Sequence, residues 1–116
     1  MAKIRIIEPK AMSFATTIAV PMHRSIFIPA TKEISQWENI FIGFRDTATN
    51  DIDKRDFDRC RATIKWASCC DASLEKVSNF ADAYGKNVEF TFAFASIDRL
   101  NEFVNNLRPN VNGAMM

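Results

Sequence analysis

Glycine is nearly missing from this chain: Gly43, Gly85 and Gly113 are the three in 116 residues. No G-x-x-x-x-G-K-[ST] or G-x-G-x-x-G stretch can be built from them, which speaks against the phosphate-cradling loops of P-loop and dinucleotide-binding proteins. Histidine is scarcer still. His23 is the one ready general base near neutral pH, and it stands between Met22 and Arg24 with no carboxylate close in sequence to orient it. It reads as an exposed turn residue. Three cysteines, two of them adjacent, form no C-x-x-C, and a lone histidine gives no H-x-x-x-H, so a zinc site has no support. The odd cysteine count also points away from a disulfide framework and toward a reducing compartment.

Charge of one sign is not in excess either. Fifteen Lys plus Arg stand against 14 Asp plus Glu, for a net charge of +1. Attraction to nucleic acid or anionic lipid must then come from a local patch. Long apolar runs are absent. The uncharged stretch from Ala11 to Val20 falls far short of the ~20 residues that span a bilayer. It also contains Ser13, Thr16 and Thr17, follows Glu8, and ends at a PMHR unlike a signal cleavage site. The expected location is the cytoplasm, with no membrane partner.

What the chain does have is phenylalanine: ten, against one Tyr and two Trp. Such rings lack a polar handle and favour burial over a wet interface. With 47% apolar and 25% charged residues, the composition is that of an ordinary globular protein. Its length suits one domain, expected over 1–109, with a frayed tail over 110–116.

Periodicity orders the elements. KIRIIE (Lys3 to Glu8) reads as a strand stopped by Pro9. From Met12 to Val20, Phe14, Thr16, Ile18 and Val20 alternate with Ala15, Thr17 and Ala19, as in a strand with one apolar face. A turn at 21–24 and a short return strand, Ser25 to Ile28, complete an antiparallel meander. Helical spacing follows Thr31, an N-cap candidate: Ile34, Trp37, Ile40, Phe41 and Phe44 share a face, although ENIFIGF also suits a strand over 39–44. After the loop Thr47 to Asn50, Asp53 caps a second helix whose buried stripe is Phe57, Cys60, Ile64 and Ala67. A third is expected from a Ser73 cap through Leu74, Val77, Phe80, Ala81 and Tyr84 to Gly85.

Val88 to Ala95 is then a strand with Val88, Phe90, Phe92 and Phe94 on one side and Glu89, Thr91, Ala93 and Ala95 on the other. Ser96 caps a last helix with Ile97, Leu100, Phe103, Val104 and Leu107 on its apolar face. That helix can fold back on the phenylalanine row and make it the centre of the core. The fold class expected is α+β: an N-terminal antiparallel meander joined by the strand at 88–95, with three or four helices mainly on one face. This strand-then-helix segment resembles half of a ferredoxin-like unit. The RNA-recognition signature K/R-G-F/Y-G/A-F-V-x-F/Y is absent, however, and no strand can follow Leu107, so that family's function is not carried over.

Two surfaces are candidates for contact. Lys54, Arg55, Arg59, Arg61 and Lys65 form a basic helix flank able to hold phosphates or an acidic protein surface. Asp51, Asp53, Asp56 and Asp58 interleave with them, which favours solvated intrahelical ion pairs. On that reading Arg59→Glu, Arg61→Glu and Lys65→Glu together leave the fold intact. The second surface is the small-residue side of the late strand, Thr91, Ala93 and Ala95. Cys60 lies on an apolar stripe, and Cys69 and Cys70 sit near a helix C-terminus, where the dipole disfavours a thiolate. No catalytic or metal residues and no cofactor are indicated. The function expected is a small non-enzymatic binding protein, an adaptor, regulator or inhibitor acting on another protein. The alternative is a nucleic-acid-binding module using the helix at 54–65.

Overall fold

A computed structural model describes residues 4–9, 14–30 and 32–109. The chain is α+β, with strands β1 (Arg5–Pro9), β2 (Ala15–Met22), β3 (Ser73–Asp82) and β4 (Gly85–Ala93) and helices α1 (Ile34–Thr47), α2 (Asp51–Cys69) and α3 (Ile97–Pro109). The strands form one antiparallel sheet in the order β1-β2-β4-β3. β2 and β4 are therefore the central pair, although 62 residues lie between Met22 and Gly85. Lys3, Met12, Ser13, the proposed cap Thr31 and the tail at 110–116 lie outside the described residues.

Alternation on β4 decides what lies where. Val88, Phe90 and Phe92 have no exposed surface, while Glu89, Thr91 and Ala93 are half-buried. The buried side faces all three helices. Phe41 of α1 meets Phe90 edge-on with ring centres 5.6 Å apart, and Phe103 of α3 meets Phe92 at 5.5 Å and Phe94 at 5.3 Å. From α2, the Cys60 thiol donates to Met22 Sδ at 3.5 Å, on the same face of β2 as Ile18 and Val20. Edge-to-face ring pairs at these separations add to the area they bury. The phenylalanine row is the inner wall.

The helix over 34–47 is borne out, and ENIFIGF is helical, because Trp37 and Phe41 then bury on one face beside Phe90. It starts behind Glu33, whose side chain and that of Gln36 form a reciprocal capping box. α2 begins three residues earlier than the Asp53 cap implies. Asn50 is the cap, its Oδ1 accepting the Asp53 N–H at 2.8 Å. Its stripe of Phe57, Cys60, Ile64 and Ala67 is buried throughout. Ser96 caps α3 as expected, with its Oγ accepting from the Arg99 N–H at 3.3 Å.

Two expectations fail. Ser25 to Ile28 is no return strand. That segment is held instead by the Asn79 side chain, which accepts from the Ile26 N–H at 2.9 Å and donates to the Ile26 carbonyl at 2.8 Å. One side-chain amide thus does the work of a neighbouring peptide group. The N-terminal part of the sheet is a hairpin, not a three-stranded meander.

The helix proposed from Ser73 to Gly85 is strand β3 and a turn. Its register against β4 shifts between Leu74 and Lys76, so Glu75 is an inserted residue. The bulge puts Leu74 opposite Phe92 and Val77 opposite Phe90, both on the inner side. A spacing of three between inward residues is the mark of a helix, and here a bulged strand produces it. Phe80 and Tyr84, assigned to the same helical face, are 45% and 84% exposed. Gly85 has φ +117°, so the left-handed residue read as a helix end closes a hairpin turn. In that turn the Tyr84 N–H donates to Asp82 Oδ1 at 2.8 Å.

Candidate binding surfaces

The basic flank of α2 does not act as one patch. Lys54, Arg55 and Lys65 are exposed. Arg59 turns inward, its side chain 15% exposed, and its Nη2 donates to Asp56 Oδ1 at 2.6 Å and to the Pro21 carbonyl at 3.1 Å. Arg61 lies against Asp58 at 3.8 Å, and Asp58 also accepts from Arg45 at 3.1 Å. The expectation that Arg59→Glu is harmless is therefore corrected: the charge would be reversed beside a buried carboxylate.

Asp56 is the centre of a cluster that sequence spacing did not reveal. Asp53 and Asp56 are 4% and 2% exposed. Asp56 Oδ2 accepts from the His23 backbone N–H at 2.9 Å and lies 2.8 Å from His23 Nδ1. Asp53 Oδ2 accepts from Arg24 at 2.7 Å and from Asn50 Nδ2 at 2.9 Å. The two acids thus clasp the end of β2 to the first turns of α2. His23 does have an orienting carboxylate, contributed from 33 residues further along the chain. Nδ1 faces Asp56, and Nε2 is the ring nitrogen left over. Asp56 is the side chain found against the His23 ring among the described residues. A signal existed: Asp53 and Asp56 continue the inward stripe of Cys60 and Ile64 at helical spacing.

The thiols are structural in their surroundings. Burial in an apolar site, with Asp56 adding to it, pushes the Cys60 thiol far up. Burial and then the Glu102 carboxylate push Cys70 up to about 11. Cys69 is exposed. Among the described residues no group of three His, Cys, Asp or Glu is placed to hold a metal ion, and no helix is long and apolar enough to cross a membrane.

Two surfaces remain. The first is the sheet face opposite the helices, where no helix packs among the described residues. Registered across its centre are Ala15, Thr17 and Ala19 of β2, Glu89, Thr91 and Ala93 of β4, and Ser73, Lys76 and Ser78 of β3. Ala19 is fully covered, and its β2 and β4 neighbours on this face are half-buried. Thr17 and Thr91 are joined through their hydroxyls at 3.0 Å, and Phe80 stands at the margin. Thr91 and Ala93 thus fall where expected, while Ala95 lies just past the strand, exposed. The second is a pocket of about 150 Å³ beside the outer edge of β3. Ile28, Trp37, Leu74 and Val77 line it with Lys32, Glu75 and Lys76. Comparison of the chain with protein-family models, curated proteins and solved structures gave no match.

Proposed function

We propose that this chain is a small non-enzymatic binding protein, an adaptor, regulator or inhibitor that acts in the cytoplasm by protein–protein contact through the bare face of its sheet. One observation carries the reading. All three helices pack on the same side of β2 and β4, and the opposite side offers small residues over which another chain can approach closely. Antiparallel sheets tolerate one solvated face, and one whose centre carries mostly small residues also offers a docking surface. Four strands at about 4.8 Å and some eight paired residues at about 3.4 Å give roughly 500 Å². A standard interface buries about 800 Å² per partner. A stable partner must therefore reach past the sheet to its margin, where Phe80 is half exposed.

The inward turn of Arg59 and the pairing of Arg61 weigh against a nucleic-acid contact along α2, which needs free cations in line. Purification of the tagged chain from its own cell, with and without nuclease, tests the class of partner. A protein partner retained after nuclease is expected. A partner released by nuclease, or tight salt-sensitive binding to random DNA or RNA, would replace this reading with the nucleic-acid one.

A further inference from the structure

From the outer edge of β3 we infer a second binding site adjoining the sheet face: a groove that takes an extended acidic peptide segment, anchored by one apolar side chain. The inference rests on the protein-binding reading only in taking its ligand to be a polypeptide. Three observations converge on it. β3 is the last strand of the sheet, so one side of its backbone has no strand neighbour. Such an edge is a template for pairing with another chain. Farther along, the Ile26 segment is already fastened at Asn79, which leaves the edge at Glu75 and Lys76 exposed.

The pocket lies beside that stretch. Its lining is mixed: Trp37, Ile28, Leu74 and Val77 supply the apolar part and Lys32, Glu75 and Lys76 the polar part. At about 150 Å³ it matches a cavity that holds one benzene-sized group. It falls well below the roughly 300–1,000 Å³ of sites that enclose whole small molecules. One side chain of a larger ligand fits it, and a free metabolite does not fill it. Strand addition supplies the rest of the contact, since main-chain hydrogen bonds give affinity and a side-chain pocket gives selectivity.

Charge sets the flanks. Lys32 and Lys76 line the pocket, and neither takes part in a salt bridge among the described residues. The one acid there, Glu75, accepts a hydrogen bond from Ser73 Oγ at 2.7 Å. Carboxylate side chains beside the anchor therefore meet two available ammonium groups. The bulge at Glu75 interrupts the regular ladder at this place, so the segment that pairs must be short.

The test is selection of random heptapeptides displayed with blocked termini against the full chain, with the Lys32→Glu/Lys76→Glu variant as a parallel target. Enriched peptides should share one bulky apolar residue with an Asp or Glu within two positions. They should bind the variant at least tenfold more weakly, and they should shift the amide resonances of Lys76 and Val77. Blocking each backbone N–H of the best peptide by methylation in turn should cost it at least tenfold at alternate positions. No enrichment, enrichment of basic peptides, equal binding to the variant, or indifference to backbone methylation would each overturn the inference. If peptides fail while a protein partner still depends on the bare sheet face, this site alone is lost. If peptides bind and no protein partner is found there, the sheet-face reading is lost instead.

Discussion

The two sides of β4 are one strand with opposite fates. Phe90 and Phe92 are fully covered, and Thr91 between them is half-buried, its hydroxyl joined to that of Thr17 across the strands. The backbone is common to both, so the difference comes wholly from where the helices lie. Three helices spend their apolar faces on one side. Nothing comparable is left in the described chain for the other, where small and polar residues take over. The inner side is what makes the protein fold, and the outer side is free to be used.

Substitutions can break that comparison. The largest effect is expected on the inner side: Phe92→Ala removes a ring packed between Phe90 and Phe103 and should cost about 3–5 kcal/mol in urea unfolding. A loss under about 1 kcal/mol would mean that the ring is not core. Next is Asp56→Ala, expected to cost about 3 kcal/mol, because it strands Arg59 half-buried without its counter-charge and releases the His23 backbone. The same clasp makes Arg59→Glu far more damaging than Lys65→Glu, which lies on an exposed position.

A smaller change is expected for Cys60→Ser, about 1–3 kcal/mol, since a hydroxyl replaces a thiol in a fully buried site. Activity per folded molecule should not move, and its loss with the fold intact would give the thiol another role. A disulfide exchange reagent at pH 8 should modify one thiol per native chain, Cys69, because Cys60 and Cys70 are buried and stay protonated there. For Cys70 the sign is plain. The unfolded thiol ionises near its ordinary 9.0 while the folded one holds its proton to about 11, so stability falls as pH rises across that window. The smallest effect belongs to the outer side, where Thr91→Ala should cost no more than about 1 kcal/mol for its one hydroxyl contact.

Much of the inner side could be read from sequence because its periods are local. The two-residue rhythm of Val88, Phe90 and Phe92 and the three-and-four rhythm of Leu100, Phe103 and Leu107 each name their own element, and one capping serine joins them. β3 escaped that reading because a single inserted residue, Glu75, converts a strand's alternation into a helix-like spacing. Ser25 to Ile28 escaped because its partner is a side chain 53 residues away. The Asp53 and Asp56 clasp was half visible: both acids sit on the inward stripe of α2 and Arg59 stands one turn from Asp56, but the His23 and Arg24 that also meet them lie outside that helix. Spacing reveals which face a residue takes, and not what meets it there.

The most direct test of the sheet face as the contact surface is comparative capture of the native partner by folded variants. Wild type, Thr91→Arg/Ala93→Arg and Lys54→Glu/Arg55→Glu/Lys65→Glu would be matched for stability and for concentration. The double arginine variant should lose the partner by at least tenfold in affinity, and the charge-reversed variant should keep it within about twofold, since two arginines on a flat small-residue face block close approach. Full retention by the arginine variant, with loss in the charge-reversed one, would move the contact to α2 and contradict the account.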